Sequence, residues 1–252
     1  MSPDSAAPIL AVDGVSKRFG AFVALNNVSV AFPAGRLAAV IGPNGAGKST
    51  FFNVVSGAFA ATSGRVRFEG RDITALAPHE YARAGIAKSF QITNVFRQLS
   101  AHENVRVAAQ MAVSRFELLR PRAALTQVAD FAQALLERVG LAGAGSKRAA
   151  DLAHGQQRAL EIAMALAAKP RLLLMDEPTA GMSPEETTVM MDLIARLAEE
   201  RTVVLVEHKM KLVMGLAQHL VVLHHGELLA QGTPAQIRAN EEVRRVYLGQ
   251  GG

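Results

Sequence analysis

The chain has 252 residues, half of them hydrophobic, 19% charged and none cysteine; it can bury a core, so global disorder, disulfides and cysteine-ligated zinc are excluded and a reducing cytosol is expected. The longest apolar run, 162–168, is far short of the ~20 residues needed to span a bilayer, and no basic-then-apolar leader opens the chain. Lys and Arg number 27 against 22 Asp and Glu, a formal +5; the excess is scattered, which suits a solvated basic surface and no nucleic-acid partner.

In chain order, residues 1–8 are small and polar and are expected to fray. Residues 9–32 read as strand, with Val28, Val30 and Phe32 alternating before the Pro33-Ala34-Gly35 turn. Residues 37–41 form a short continuous apolar run, as in a strand buried on both faces. A glycine-rich loop leads into helical sequence over 48–57, and Thr62-Ser63-Gly64 turns into a further alternating run through Val66 and Phe68. From about 100 to 168 Ala, Leu, Glu and Arg dominate at helical spacing, which predicts helices, one of them over 159–168, and no strand. Strands are then expected at 172–175 and 202–206 around a helix over 184–200, followed by a hairpin pairing 220–223 with 227–230 and an amphipathic helix over 241–248. No internal repeat is visible.

Gly42-Pro43-Asn44-Gly45-Ala46-Gly47-Lys48-Ser49-Thr50 fits G-x-x-x-x-G-K-[ST], between a buried strand and a helix. Glycines let the backbone fold tightly so that its N–H groups converge on phosphate oxygens, and the helix N-terminus adds partial positive charge. Lys48 would reach the terminal phosphates and the Ser49 hydroxyl would bind Mg²⁺. A second apolar strand ends in Asp176-Glu177. At the carboxyl end of a parallel strand such carboxylates face the crevice where α/β sheets bind ligands. Asp176 can hold Mg²⁺ and Glu177 can accept a proton from an attacking water. His208, just past the strand 202–206, could hydrogen-bond the terminal phosphate; a surface imidazole is the plainer alternative.

The order of phosphate loop, Gln91, Leu152-Ala153-His154-Gly155-Gln156, Asp176-Glu177-Pro178 and His208 resembles an ABC-type ATPase cassette over about 9–250. That resemblance implies an α/β fold: a P-loop NTPase (RecA-like) core with an antiparallel β subdomain and a helical subdomain inserted at about 93–165. It implies ATP and Mg²⁺. It makes Ala153, His154, Gly155 and Gln156 the signature that binds the γ-phosphate of ATP on an opposed cassette. It assigns Gln91 to Mg²⁺ and the attacking water, residues 180–183 to the loop across the dimer interface, His208 to the γ-phosphate switch and Phe19 to stacking on adenine, although an ordinary packed phenylalanine fits Phe19 too. Within the family, residues 152–166, 176–187, 207–215 and the ending 231–250 resemble the LivG-type cassettes of branched-chain amino-acid importers. Such subunits pair with a second cassette, related or identical, and with two membrane permeases fed by a periplasmic binding protein, at the cytoplasmic face of the inner membrane. Phe96, Arg97 and Leu99 become candidate permease contacts.

Two departures stand out: Ala153-His154 where the common signature has Ser-Gly, and Ser183 where the interface loop usually has Asp. They imply asymmetry, with the site built on Lys48 and Glu177 fully equipped and the one using this chain's signature slower. Cassettes for urea, amides or aromatic acids, an exporter of the lipopolysaccharide-extraction kind, and a soluble ABC ATPase remain as rival readings.

Overall fold

The computed structural model describes residues 7–89, 95–113 and 122–248; Gln91 lies outside them. Two sheets carry the fold. The first is antiparallel, in the order β2–β1–β4–β5, from β1 (Pro8–Phe19), β2 (Phe22–Pro33), β4 (Ser63–Phe68) and the short β5 (Arg71–Asp72). The second runs β10–β9–β3–β8–β7–β6. It is built from β3 (Leu37–Ile41), β6 (Ile86–Ser89), β7 (Leu172–Asp176), β8 (Thr202–Val206), β9 (His219–His224) and β10 (Glu227–Gly232). All its neighbours are parallel except the β9–β10 hairpin.

Burial explains the composition of the central strands. β3, β7 and β8 are buried at every position, and strand pleating sends alternate residues to opposite faces. Ala38, Val40, Leu172, Leu174, Val204 and Val206 join the core beneath the antiparallel sheet. Leu37, Ala39, Leu173, Met175, Val203 and Leu205 join the core on the other face.

Helix α1 (Lys48–Val55) is sandwiched in the first core, burying Phe51, Phe52, Val54 and Val55, with Phe51 6.2 Å from the Phe32 ring. Between β6 and β7 the described chain is helical: α3 (Ala101–Val113), α4 (Arg122–Arg138) and α5 (His154–Leu166) pack on one another. Helix α6 (Pro184–Ala198) covers the second face. Helix α5 begins at His154, five residues ahead of the expected start at 159, so the signature residues form its first turn.

Several short elements go beyond the sequence reading: β5, β6, α2 (Pro78–Ala84), α7 (Met210–Leu216) and α8 (Pro234–Ala239). The expected helix over 241–248 is one short α turn (Glu241–Val243) continued as a π turn (Arg244–Leu248). No helix among the described residues is long and apolar enough to cross a membrane.

Candidate functional site

The loops leaving the carboxyl ends of the neighbouring strands β3, β8 and β7 meet at the carboxyl end of the parallel sheet, where α/β folds form their ligand crevice. The β3 loop is Gly42–Gly47. Gly42 has φ +152°, and a Cβ there would lie 2.2 Å from the Leu223 carbonyl oxygen at the end of β9. Gly47 caps α1 at φ +93°, and its Cβ would meet the Ala24 carbonyl oxygen at 2.8 Å. These two positions require glycine because neighbouring backbone occupies the side-chain space. The loop is pinned from outside as well: the Gly226 N–H donates to the Ala46 carbonyl at 3.1 Å and the Asn26 N–H to the Gly226 carbonyl at 2.8 Å.

Lys48 is buried, and its ammonium donates to the carbonyls of Gly42 (2.8 Å) and Pro43 (2.9 Å). Burial holds its pKa below the ordinary lysine value, opposed by the charges of Glu177 and Asp176. Asp176 is also buried, and one carboxylate oxygen, Oδ1, has no hydrogen-bond partner. Burial raises its pKa, partly offset by Lys88. An orphaned, desolvated carboxylate oxygen beside a phosphate loop suits a divalent cation as its missing partner. Ser49, at the start of α1, lines the same cleft and offers a hydroxyl. Among the described residues no three His, Asp or Glu side chains form a metal cage, so the remaining ligands of such a cation would be phosphate and water.

Glu177 takes φ +47°, a left-handed conformation rare for a glutamate and costly unless the surroundings enforce it. They do: its N–H donates to the Val206 carbonyl at 2.9 Å, extending the β7–β8 ladder. The carboxylate meets His208 Nε2 at 2.6 Å through Oε1. The His208 loop is held in turn by Glu207, buried and fully engaged. Glu207 Oε1 accepts from the Thr179 N–H (3.0 Å) and hydroxyl (2.5 Å), and Oε2 from the His208 N–H (3.0 Å). Lys209 closes the clamp, donating to the Thr179 carbonyl (3.3 Å) and the Thr187 hydroxyl (2.9 Å).

A cleft of about 300 Å³ is walled by residues 44–50, Glu177, His208, Ala24 and Phe22. Gly42 and Pro43 stand behind it as carbonyl acceptors for Lys48. Phe19, the aromatic expected at the adenine position, does not line the cleft. Its ring packs edge-on against Phe59 at 5.6 Å with the Lys17 ammonium 5.0 Å from its centroid, while Phe22, two-thirds exposed across the β1–β2 turn, forms the wall.

The signature residues lie outside this cleft. Ala153 is the N-cap of α5 and has no side-chain oxygen to cap with; the Gln156 side chain folds back to accept from the Ala153 N–H at 3.2 Å. The Gly155 N–H donates instead to Glu186 Oε1 of α6 at 3.3 Å. The other oxygen of Glu186 accepts from the Ser183 N–H at 3.1 Å, and Ser183 Oγ accepts from the Glu186 N–H at 3.2 Å, a reciprocal capping box. Ser183 in place of the usual aspartate therefore has a structural role at the start of α6. His154 is exposed and approaches Gly181. Buried Arg158 joins α5 to the end of β7, pairing with Glu161 at 2.7 Å and donating to the carbonyls of Asp176 (3.3 Å) and Glu177 (3.4 Å). Phe22, Arg158, Glu186 and Glu207 escaped the sequence reading; only Ser183-x-x-Glu186 carried a local signal, the capping-box spacing.

Residues 25–180 match the family model described as ABC transporter, and residues 227–252 match that described as branched-chain amino acid ATP-binding cassette transporter. The chain is 41% identical over 251 residues to the high-affinity branched-chain amino acid transport ATP-binding protein BraF of Pseudomonas aeruginosa, covering 96% of this chain and 98% of that protein. The same figures hold for LivG of Salmonella typhimurium. A solved cassette of an ABC transporter in its ADP conformation superposes with a TM-score of 0.84 at 29% identity, covering 97% of this chain and all of that one. Motif order, phosphate cleft and these likenesses converge: the chain belongs to the ABC transporter family, as one of its ATP-binding, ATP-hydrolysing cassettes.

Proposed function

We propose that this cassette powers uptake of branched-chain or closely related amino acids, paired with a second cassette and docked on two membrane permeases that a periplasmic binding protein feeds. For the chemistry, the supporting observation is the contact of Glu177 with His208 at 2.6 Å on the wall of the phosphate cleft. For the solute, support comes from the match of residues 227–252 to the branched-chain family and from the printed names of the relatives.

In this reading the Lys48 ammonium leaves the Gly42 and Pro43 carbonyls for the β- and γ-phosphate oxygens of ATP. The loop N–H groups and the α1 N-terminus share that charge. Ser49, Asp176 and Gln91 would hold Mg²⁺, which would neutralise phosphate charge when bound. Glu177 accepts a proton from the attacking water, and His208 fixes the carboxylate and contacts the γ-phosphate. The Phe19–Phe22 turn supplies the aromatic surface for adenine, Phe22 from the cleft wall. Residues 153–156 reach the γ-phosphate bound to the opposed cassette, so turnover requires two cassettes. Only the γ-phosphate distinguishes ATP from ADP, and it therefore drives closure of the pair.

The permease loop is received by residues 95–99, beside the helical subdomain. Phe96 and Leu99 are exposed there, on a loop fixed by the buried Asn104, whose side chain accepts from the Phe96 N–H (2.7 Å) and donates to the carbonyls of Phe96 (3.1 Å) and Ser100 (2.9 Å).

The test is capture of the tagged Glu177→Gln chain from native membranes with MgATP. Two multi-span proteins and a second cassette should co-purify. With the wild-type assembly, leucine-loaded binding protein should stimulate ATP turnover while urea and aromatic acids do not. Co-purification with nucleic acid, or stimulation by another solute class, overturns the reading.

A further inference from the structure

At the opposite end of the parallel sheet, where β7 and β8 begin, lies a crevice of about 480 Å³, larger than the cleft at the phosphate loop and within the ~300–1,000 Å³ span of small-molecule pockets. One wall is α4, through Phe131, Leu135 and Arg138; the other is the core, through Lys169, Arg171 and Arg201. Ile9 and Leu166 add apolar floor.

Its charges do not balance. Four cations, Arg138, Lys169, Arg171 and Arg201, face two carboxylates, Glu69 and Glu200. Glu69 is taken by Arg171 at 3.0 Å. Glu200 is shared, one oxygen meeting both Arg138 and, at 3.4 Å, Arg201. Arg201 is the notable group: its side chain is only 12% exposed and its buried Nε has no hydrogen-bond partner. Burial, then the neighbouring Arg138 charge, pushes its pKa below the usual arginine value. Two neighbouring guanidinium groups thus share a single carboxylate oxygen, leaving the crevice with more positive than negative charge. Lys169 adds strain, sitting at φ +49° with its ammonium 5.2 Å from the centre of the Phe131 ring across the crevice.

We propose that this crevice binds a small organic anion, an apolar body carrying a carboxylate, whose charged end pairs with Arg201 and Arg138 while its chain lies on Phe131, Leu135 and Leu166. A guanidinium fork matches a carboxylate in plane and charge, and the apolar floor favours a hydrocarbon body over a bare inorganic ion. Because α4 packs on α3 and α5 while Arg171 and Arg201 precede core strands, an occupant straps the helical segment to the core. None of its walls is shared with the phosphate cleft, so the occupant and nucleotide do not compete for the same space.

The experiment is calorimetric titration of the full-length chain with octanoate, octan-1-ol and inorganic phosphate in parallel, with hydrogen exchange read over 126–138. Octanoate should bind at least about tenfold more tightly than either control, saturating MgATP should leave its Kd unchanged, and exchange in α4 should slow. Arg201→Gln should weaken octanoate about tenfold or more; should that variant fold poorly, Arg138→Gln, at a side chain 37% exposed, should give the same loss. Octanol binding as well as octanoate, displacement by MgATP, tighter binding of phosphate, or indifference to the folded arginine variant each overturns the proposal.

Discussion

The phosphate-loop cleft and the start of α5, the two regions to which the proposed function assigns nucleotide, are finished to different degrees. At the cleft, three strand ends supply a wedged loop, a buried lysine, a strained glutamate and a histidine already in contact, all within one chain. At α5 there is only a helix start whose cap lacks a hydroxyl and whose Gly155 N–H is held by a neighbouring carboxylate. Under the proposed function, that contrast fits a chain whose own cleft is ready for a nucleotide and whose α5 start would serve one held by an opposed cassette. Burial tells the same story, since Lys48 and Asp176 are desolvated in advance while Ala153 and His154 stand in water.

Glu177 carries the largest expected effect. Glu177→Gln should lower ATP turnover by about 10²–10⁴-fold with nucleotide affinity retained, measured by steady-state hydrolysis against equilibrium binding; equal loss of both would make Glu177 a binding group. Lys48→Ala should weaken ATP binding at least about tenfold, or ~1.4 kcal/mol, whereas Ala153→Ser, at the other region, should leave the isolated chain's affinity unchanged and alter only the paired state.

Glu207→Gln should sharpen the picture of a prebuilt cleft. Hydrogen bonds to a buried charge contribute about 1.5–3 kcal/mol, so the variant should lose stability in urea and turn over more slowly while binding ATP normally. Glu186→Ala removes both halves of its capping role and should cost about 1 kcal/mol, or a fall in Tm of about 2–4 °C.

The smallest effect is in pH. The Asp176 pKa is raised in the folded chain by burial, so the fold binds this proton more tightly than the unfolded chain does. Its contribution is present below the ordinary carboxylate pKa and is lost as pH rises through the raised value. Asp176→Asn should therefore flatten the decline in nucleotide-free stability across that window, read from urea midpoints at successive pH values.

Much of this was legible in the sequence, for identifiable reasons. Residues 37–41 match β3 because a strand buried on both faces must be continuously apolar, and the phosphate loop is legible because backbone crowding at Gly42 and Gly47 admits no other residue. β6 was not, since four residues ending in Lys88 and Ser89 show no alternation; Lys88 is satisfied by Asn53 at 2.6 Å and by the Phe52 ring, partners distant in sequence. The start of α5 was missed because Ala153 carries no capping oxygen, the cap arriving from Glu186, 31 positions from Gly155. Phe22 was passed over because only the fold shows which side of the β1–β2 turn faces the phosphate loop.

The double duty of Glu186 has a consequence for anyone altering this cassette. One side chain sets both the first turn of α6 and the tilt of the amide at Gly155, so the two surfaces flanking residues 180–183 cannot be retuned separately. Grafting a different signature onto this scaffold would therefore act on the start of α6 through Glu186.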